Sequence, residues 1–80
     1  MRKISSLEEL KKLASKNTVY AFIHLNYGLK SSKDISYDKE SDTWEIYNSI
    51  DDVEQTLNTK ELGECTNIIK AIENGALYQY

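Results

Sequence analysis

Along the chain, the spacing of apolar residues shifts from a helical period to a strand period and back. Leu7, Leu10, Leu13 and Ala14 recur at three and four residues, which puts them on one face of a helix with Lys11, Lys12 and Lys16 turned to water. Ser5 and Ser6 each have a glutamate three residues on, Glu8 and Glu9, the capping-box pattern that satisfies the first orphaned amides. The late lysines suit the negative end of the helix. Asn17-Thr18 ends it, and the run from Val19 to Leu25 is apolar at both odd and even positions, as in a central strand covered on both sides.

Tyr27-Gly28-Leu29 supplies a turn. A hairpin follows: Ile35 to Asp38, a polar connection Lys39 to Thr43, and Trp44 to Tyr47. In the second arm Trp44, Ile46 and Ile50 share one parity, expected in the core, while Glu45, Tyr47 and Ser49 share the wet one. Asp51-Asp52 turns the chain into a short strand, Val53 to Leu57. Asn58 or Thr59 then caps a helical turn from Lys60, and Thr66 caps a second helix from Asn67 to Asn74. Leu62, Cys65, Ile69, Ile72 and Ala76 also fit one unbroken helix, in which Gly63 would cost about 1 kcal/mol. Asn74-Gly75 is a C-cap pattern, and Ala76 to Tyr80 has strand chemistry. Pairing of that tail beside Val19 to Leu25 would explain the two apolar faces there.

The predicted architecture is one compact α+β domain over residues 1–80: an N-terminal helix, an antiparallel three- to four-stranded meander, one or two C-terminal helices and a short C-terminal strand. A chain of 80 residues buries only about 60–65% of its unfolded surface, which argues against a deep cleft with a lid. A hydrophobic fraction of 40% and the absence of proline describe a globular domain without long linkers. One cysteine cannot close an internal disulfide, and the segment Met1 to Ser5 lacks the apolar run of a secretion signal. The stretch Val19 to Ile23 is far below the roughly 18 residues of a membrane span. The expected location is the cytoplasm, with no membrane partner.

Charge changes this picture, because it is sorted along the chain. Residues 1–33 carry seven bases against two acids, and residues 34–64 carry ten acids against two bases, Lys39 and Lys60. Such segregation bears on partners rather than on fold.

Catalysis finds no support. His24 alternates with apolar neighbours and has no serine or acid beside it, so it reads as structural or exposed. Cys65 reads as a small buried thiol, and one cysteine with one histidine cannot complete a zinc site. Asp38, Glu40 and Asp42 alternate as at the start of a calcium loop, but Thr43 stands where glycine is needed and Ser49 where the bidentate glutamate belongs. Gly28, Gly63 and Gly75 are too scattered to cradle a phosphate. No catalytic residue, metal or cofactor is expected.

The acids have a sharper use. In extended chain, side chains two residues apart lie roughly 6–7 Å from each other, near the spacing of successive phosphates. Asp38, Glu40 and Asp42 have that period, and Glu45, Asp51, Asp52 and Glu54 extend the set, with Tyr37 and Tyr47 as anchors. The bland account is that acids populate solvated turns and blunt sheet edges. A second use, the runner-up from a different class, is nucleic-acid binding through the first helix and the basic loop, with Lys11, Lys12, Lys16, Lys30 and Lys33. A third is self-association, basic end to acidic middle.

The run Leu29 to Asp38, with Ile50-Asp51-Asp52, Thr66-Asn67-Ile68 and Ala71 to Tyr78, resembles small accessory proteins of phages and prophages. The resemblance carries no catalytic or ligand motif. It implies a bacterial host cell and a partner among host nucleic-acid enzymes or defence complexes, the class to which inhibitors of CRISPR nucleases belong.

Overall fold

The computed structural model describes residues 2–24, 30–65 and 67–80, without the side chains of Lys30 and Cys65. The expected turn at Tyr27-Gly28-Leu29 and the expected cap at Thr66 lie outside the described residues. Strand β1 (Arg2–Lys3) precedes helix α1 (Leu7–Lys16); strands β2 (Val19–His24), β3 (Lys30–Asp38), β4 (Thr43–Asn48) and β5 (Val53–Leu57) follow, then helices α2 (Thr59–Cys65) and α3 (Ile68–Glu73), and strand β6 (Leu77–Gln79). The protein is α+β, as its patterning indicates, with the two C-terminal helical pieces separate. The sheet, however, has six antiparallel strands in the order β1-β6-β2-β3-β4-β5.

Two features depart from the patterning, each for its own reason. β1 is only two residues and has no strand pattern of its own; it exists because β6 offers an edge, with Arg2 opposite Gln79 and Lys3 opposite Tyr78. β3 begins five residues before Ile35, so Lys30 and Lys33 belong to a strand and not to the basic loop that their polar neighbours suggest. There Lys33 and Ser31 lie opposite Ala21 and Ile23 of β2.

All three helices cover one face of the sheet. That face supplies Val19, Ala21, Ile23, Ile35, Trp44, Ile46 and Leu77 to the core, and the helices and Ile4 add Ile4, Leu10, Ala14, Leu62, Ile68 and Ala71. Burying each large side chain in such a core contributes about 1.5–3 kcal/mol. Ile50 does not join it: β4 ends at Asn48, the residue falls in the turn, and it is 66% exposed.

Caps follow the sequence signals. Ser6 accepts from Glu9 N at 3.1 Å while the Glu9 carboxylate accepts from Ser5 N and from Arg2. Asn58 and Glu61 form a reciprocal capping box, 2.8 and 3.0 Å, at the start of α2. α3 ends in a Schellman arrangement, Ala76 N to Ala71 O and Gly75 N to Ile72 O, with Gly75 at φ +66. This cap turns the chain back so that β6 runs between β1 and β2, with Phe22 opposite Tyr78 and Ile23 opposite Leu77.

Candidate functional site

Because the described helices cover only one face, the side chains of the other face of the sheet lie under no described helix. Period two and the strand registers assign its residues. From β6 and β2 come Tyr78, Tyr20, Phe22 and His24; from β3, Ser32, Asp34, Ser36 and Asp38; from β4, Thr43, Glu45 and Tyr47; from β5, Glu54 and Thr56. The face therefore divides into an aromatic half on β2 and β6 and an acidic half on β3, β4 and β5.

In the aromatic half Phe22 stacks on Tyr78 with ring centroids 5.4 Å apart and meets Tyr80 at 4.9 Å. Such pairs add about 0.5–1.5 kcal/mol each beyond burial. Phe22 is thereby 2% exposed on a face without helices, while Tyr20 and Tyr80 remain 58% and 66% exposed. The apolar character of both sides of β2 has this cause: helices on one side, the tail's tyrosines on the other.

In the acidic half Glu45 stands between Ser36 and Thr56, and Tyr47 between Asp34 and Glu54. The Tyr47 hydroxyl donates to Asp52 Oδ1 at 2.5 Å. That hydrogen bond, the charge of Asp52, and the charges of Asp34 and Glu54 together push the Tyr47 phenol above its ordinary pKa. Three carboxylates thus converge on one phenol. Asp38 lies on the same face at the end of β3, its Oδ1 accepting Glu40 N at 3.0 Å, and Glu40 itself is exposed in the turn. Among the described residues none of these carboxylates is in an ion pair; the recorded pair joins Arg2 to Glu9.

Two residues of the expected acidic set are placed elsewhere. Asp42 faces the helices: it accepts from the Thr59 hydroxyl, from Tyr37 Oη at 2.9 Å and from Thr59 N at 3.3 Å. Those bonds hold its carboxyl below the ordinary carboxylate range. Tyr37 is likewise on the helix side, half-buried against Trp44 at 4.2 Å with Lys11 5.9 Å above its ring. Both side chains are therefore turned away from the acidic face. Asp51 is exposed near Lys33, whose ammonium burial pushes to a lower pKa and the Asp51 charge pushes back up. Asp34, absent from the expected set, belongs to it. Its signal was available as the same parity as Ser36 and Asp38 on one strand.

The lysines do not form one surface. Lys11, Lys12 and Lys16 line a shallow groove of about 520 Å³ with Ser15, Tyr37 and Lys39. Lys33 lies on β3, and the side chain of Lys30 is outside the described residues. His24 is exposed at the end of β2. Among the described residues no three of His, Cys, Asp and Glu are grouped to hold a metal ion. Among the described residues no helix is long and apolar enough to cross a membrane.

Compared with protein-family models, curated proteins and solved structures, the chain finds no match. The class that the geometry defines is a small α+β domain whose six-stranded antiparallel sheet has one face that no described helix covers, half aromatic and half acidic.

Proposed function

We propose that the protein is a non-enzymatic binding module of the phage-accessory type, which docks the uncovered face of its sheet on a basic, nucleic-acid-binding surface of a host enzyme or defence complex. The observation that carries this reading is the convergence of Asp34, Glu45, Asp52 and Glu54, with Asp38 beside them, on one face without compensating cations among the described residues. A rigid sheet holds these charges at strand spacing, so they meet a basic groove without first being ordered, and complementarity of this kind sets association rate and specificity. The neighbouring tyrosines Tyr20 and Tyr80 supply exposed aromatic area of the sort that anchors interfaces.

Capture of a partner from a bacterial lysate tests this, comparing the native protein with a Asp34→Asn, Glu45→Gln, Glu54→Gln variant. The native protein retains a nucleic-acid-binding protein that added DNA or RNA displaces, and the variant binds it roughly 100-fold more weakly. Capture that neither the substitutions nor nucleic acid disturbs overturns the reading.

One observation favours a second reading. Lys39, from the β3–β4 turn, joins Lys11, Lys12 and Lys16 around one groove, which suits a polyanion. Retention on immobilised DNA or RNA that is lost in Lys12→Glu, Lys16→Glu would establish it.

A further inference from the structure

The two edges of the sheet are treated differently. β1 is two residues long and carries Arg2 and Lys3, so that edge is short and charged, which are two of the devices that prevent strand addition. β5 is five residues, Val53-Glu54-Gln55-Thr56-Leu57, with a single charge, Glu54, and without proline, lysine or a break in its register to β4. Four of its five residues are exposed, and among the described residues nothing pairs with its outer side. Of the exposed large apolar residues, two, Tyr20 and Tyr80, belong to the aromatic half-face, and the other two, Ile50 and Val53, lie at this edge.

We propose that β5 is a dimerisation strand, pairing antiparallel with β5 of a second copy about a two-fold axis at Gln55. The side-chain period requires the axis to pass through a residue, since residues directly opposite must share a face, and the cross-strand pairs then favour Gln55. Centred on Gln55, Val53 faces Leu57 of the second copy on the helix side, Glu54 faces Thr56 on the uncovered side, and Gln55 faces itself. Centring on Glu54 would set two carboxylates against each other, and centring on Thr56 would set Val53 against Thr59 and Leu57 against Gln55, so both are poorer. The chosen register also brings the Asp51-Asp52 turn of each copy toward Asn58, Thr59 and Lys60 of the other, opposite in charge at Lys60. Ile50 comes to the same end.

The contact closes on itself. An isologous pair uses up both β5 edges and leaves only the two protected β1 edges, so assembly stops at a dimer. The axis stands perpendicular to the sheet, which places the acidic half-faces of both copies side by side on one surface. The pairing is short, so the dimer is weak, in the class of small transient interfaces. It does not depend on the docking reading above, and is measured on the isolated protein.

Sedimentation equilibrium of the full chain tests it. The expected mass rises from 9.2 kDa toward twice that value as concentration approaches about 1 mM. Main-chain pairing persists in about 1 M salt, where attraction between the basic and acidic segments of two copies would be screened away. Gln55→Lys sets two like charges face to face and weakens association by about tenfold or more. With Cys65→Ser, Gln55→Cys forms an intermolecular disulfide faster than Ser15→Cys on the exposed side of α1. A monomer at every concentration, a dimer that dissolves in salt, or a dimer indifferent to Gln55→Lys overturns the proposal, as does crosslinking at position 55 no faster than at 15.

Discussion

The β3–β4 turn and the β4–β5 turn follow one local plan and end in different surroundings. In each, a tyrosine precedes an Asx residue whose side chain accepts a turn amide, Asp38 from Glu40 N and Asn48 from Ile50 N. In each, an aspartate five residues after the tyrosine takes a positive φ, +52 at Asp42 and +56 at Asp52, and accepts the tyrosine hydroxyl. The first turn lies under α2. Asp42 is there one end of a chain in which the Trp44 indole donates to the Thr59 hydroxyl at 3.0 Å and that hydroxyl donates to the aspartate. No described helix lies over the second turn, and its tyrosine looks onto Asp34 and Glu54 instead. One local motif therefore locks a hairpin to the core in the first case and exposes charge in the second. What stands over the turn decides between them.

The largest expected effect breaks the first turn at its root. Trp44→Ala empties the centre of the core and costs about 3–5 kcal/mol in denaturant unfolding, and Thr59→Val, which leaves the buried indole N–H unpaired, about 1–3 kcal/mol. No substitution in the 47–52 turn should approach either value.

A smaller effect comes from pH. The folded pKa of Asp42 is depressed by its hydrogen bonds from Thr59 and Tyr37. Its contribution is therefore complete above the unfolded value near 4 and is lost as pH falls through that value toward the folded one. Thermal unfolding of the native protein should weaken more steeply below about pH 4 than that of Asp42→Asn. Equal slopes for the two proteins would remove Asp42 from the lock between the first turn and the core.

The smallest effect lies at the alkaline end. Tyr47 has a raised folded pKa, so its stabilisation is present below the unfolded value near 10 and is lost as pH rises through the folded one. Phenolate absorbance should show a tyrosine ionising above the ordinary phenol value, and Tyr47→Phe or Asp52→Asn should remove that late step while lowering stability at neutral pH by less than either substitution at the first turn.

Much of this molecule could be read from residues in their order. The heptad-like spacing of Leu7, Leu10 and Ala14, the Ser6-Glu9 cap, the Asn74-Gly75 stop and the two apolar parities of β2 are local signals, and each is honoured because short-range hydrogen bonding and side-chain period set it. Two-residue β1 left no such trace, because its pairing partner is at the far end of the chain.

The composition of the acidic face required the fold. Asp38, Glu40 and Asp42 look like one row only while the chain is extended, and residues 39–42 form a turn that reverses it. Across each hairpin the register pairs an odd with an even residue, Tyr37 with Trp44 and Tyr47 with Glu54. The uncovered face is therefore even on β3, odd on β4 and even again on β5, which unites Asp34, Glu45 and Glu54 and sends Asp42 to the helices. The sequence alone determined that strands and acids would coincide in this region. Which acids stand together was settled by cross-strand register and by the side on which α2 packs, and both are long-range choices that no window of neighbouring residues contains.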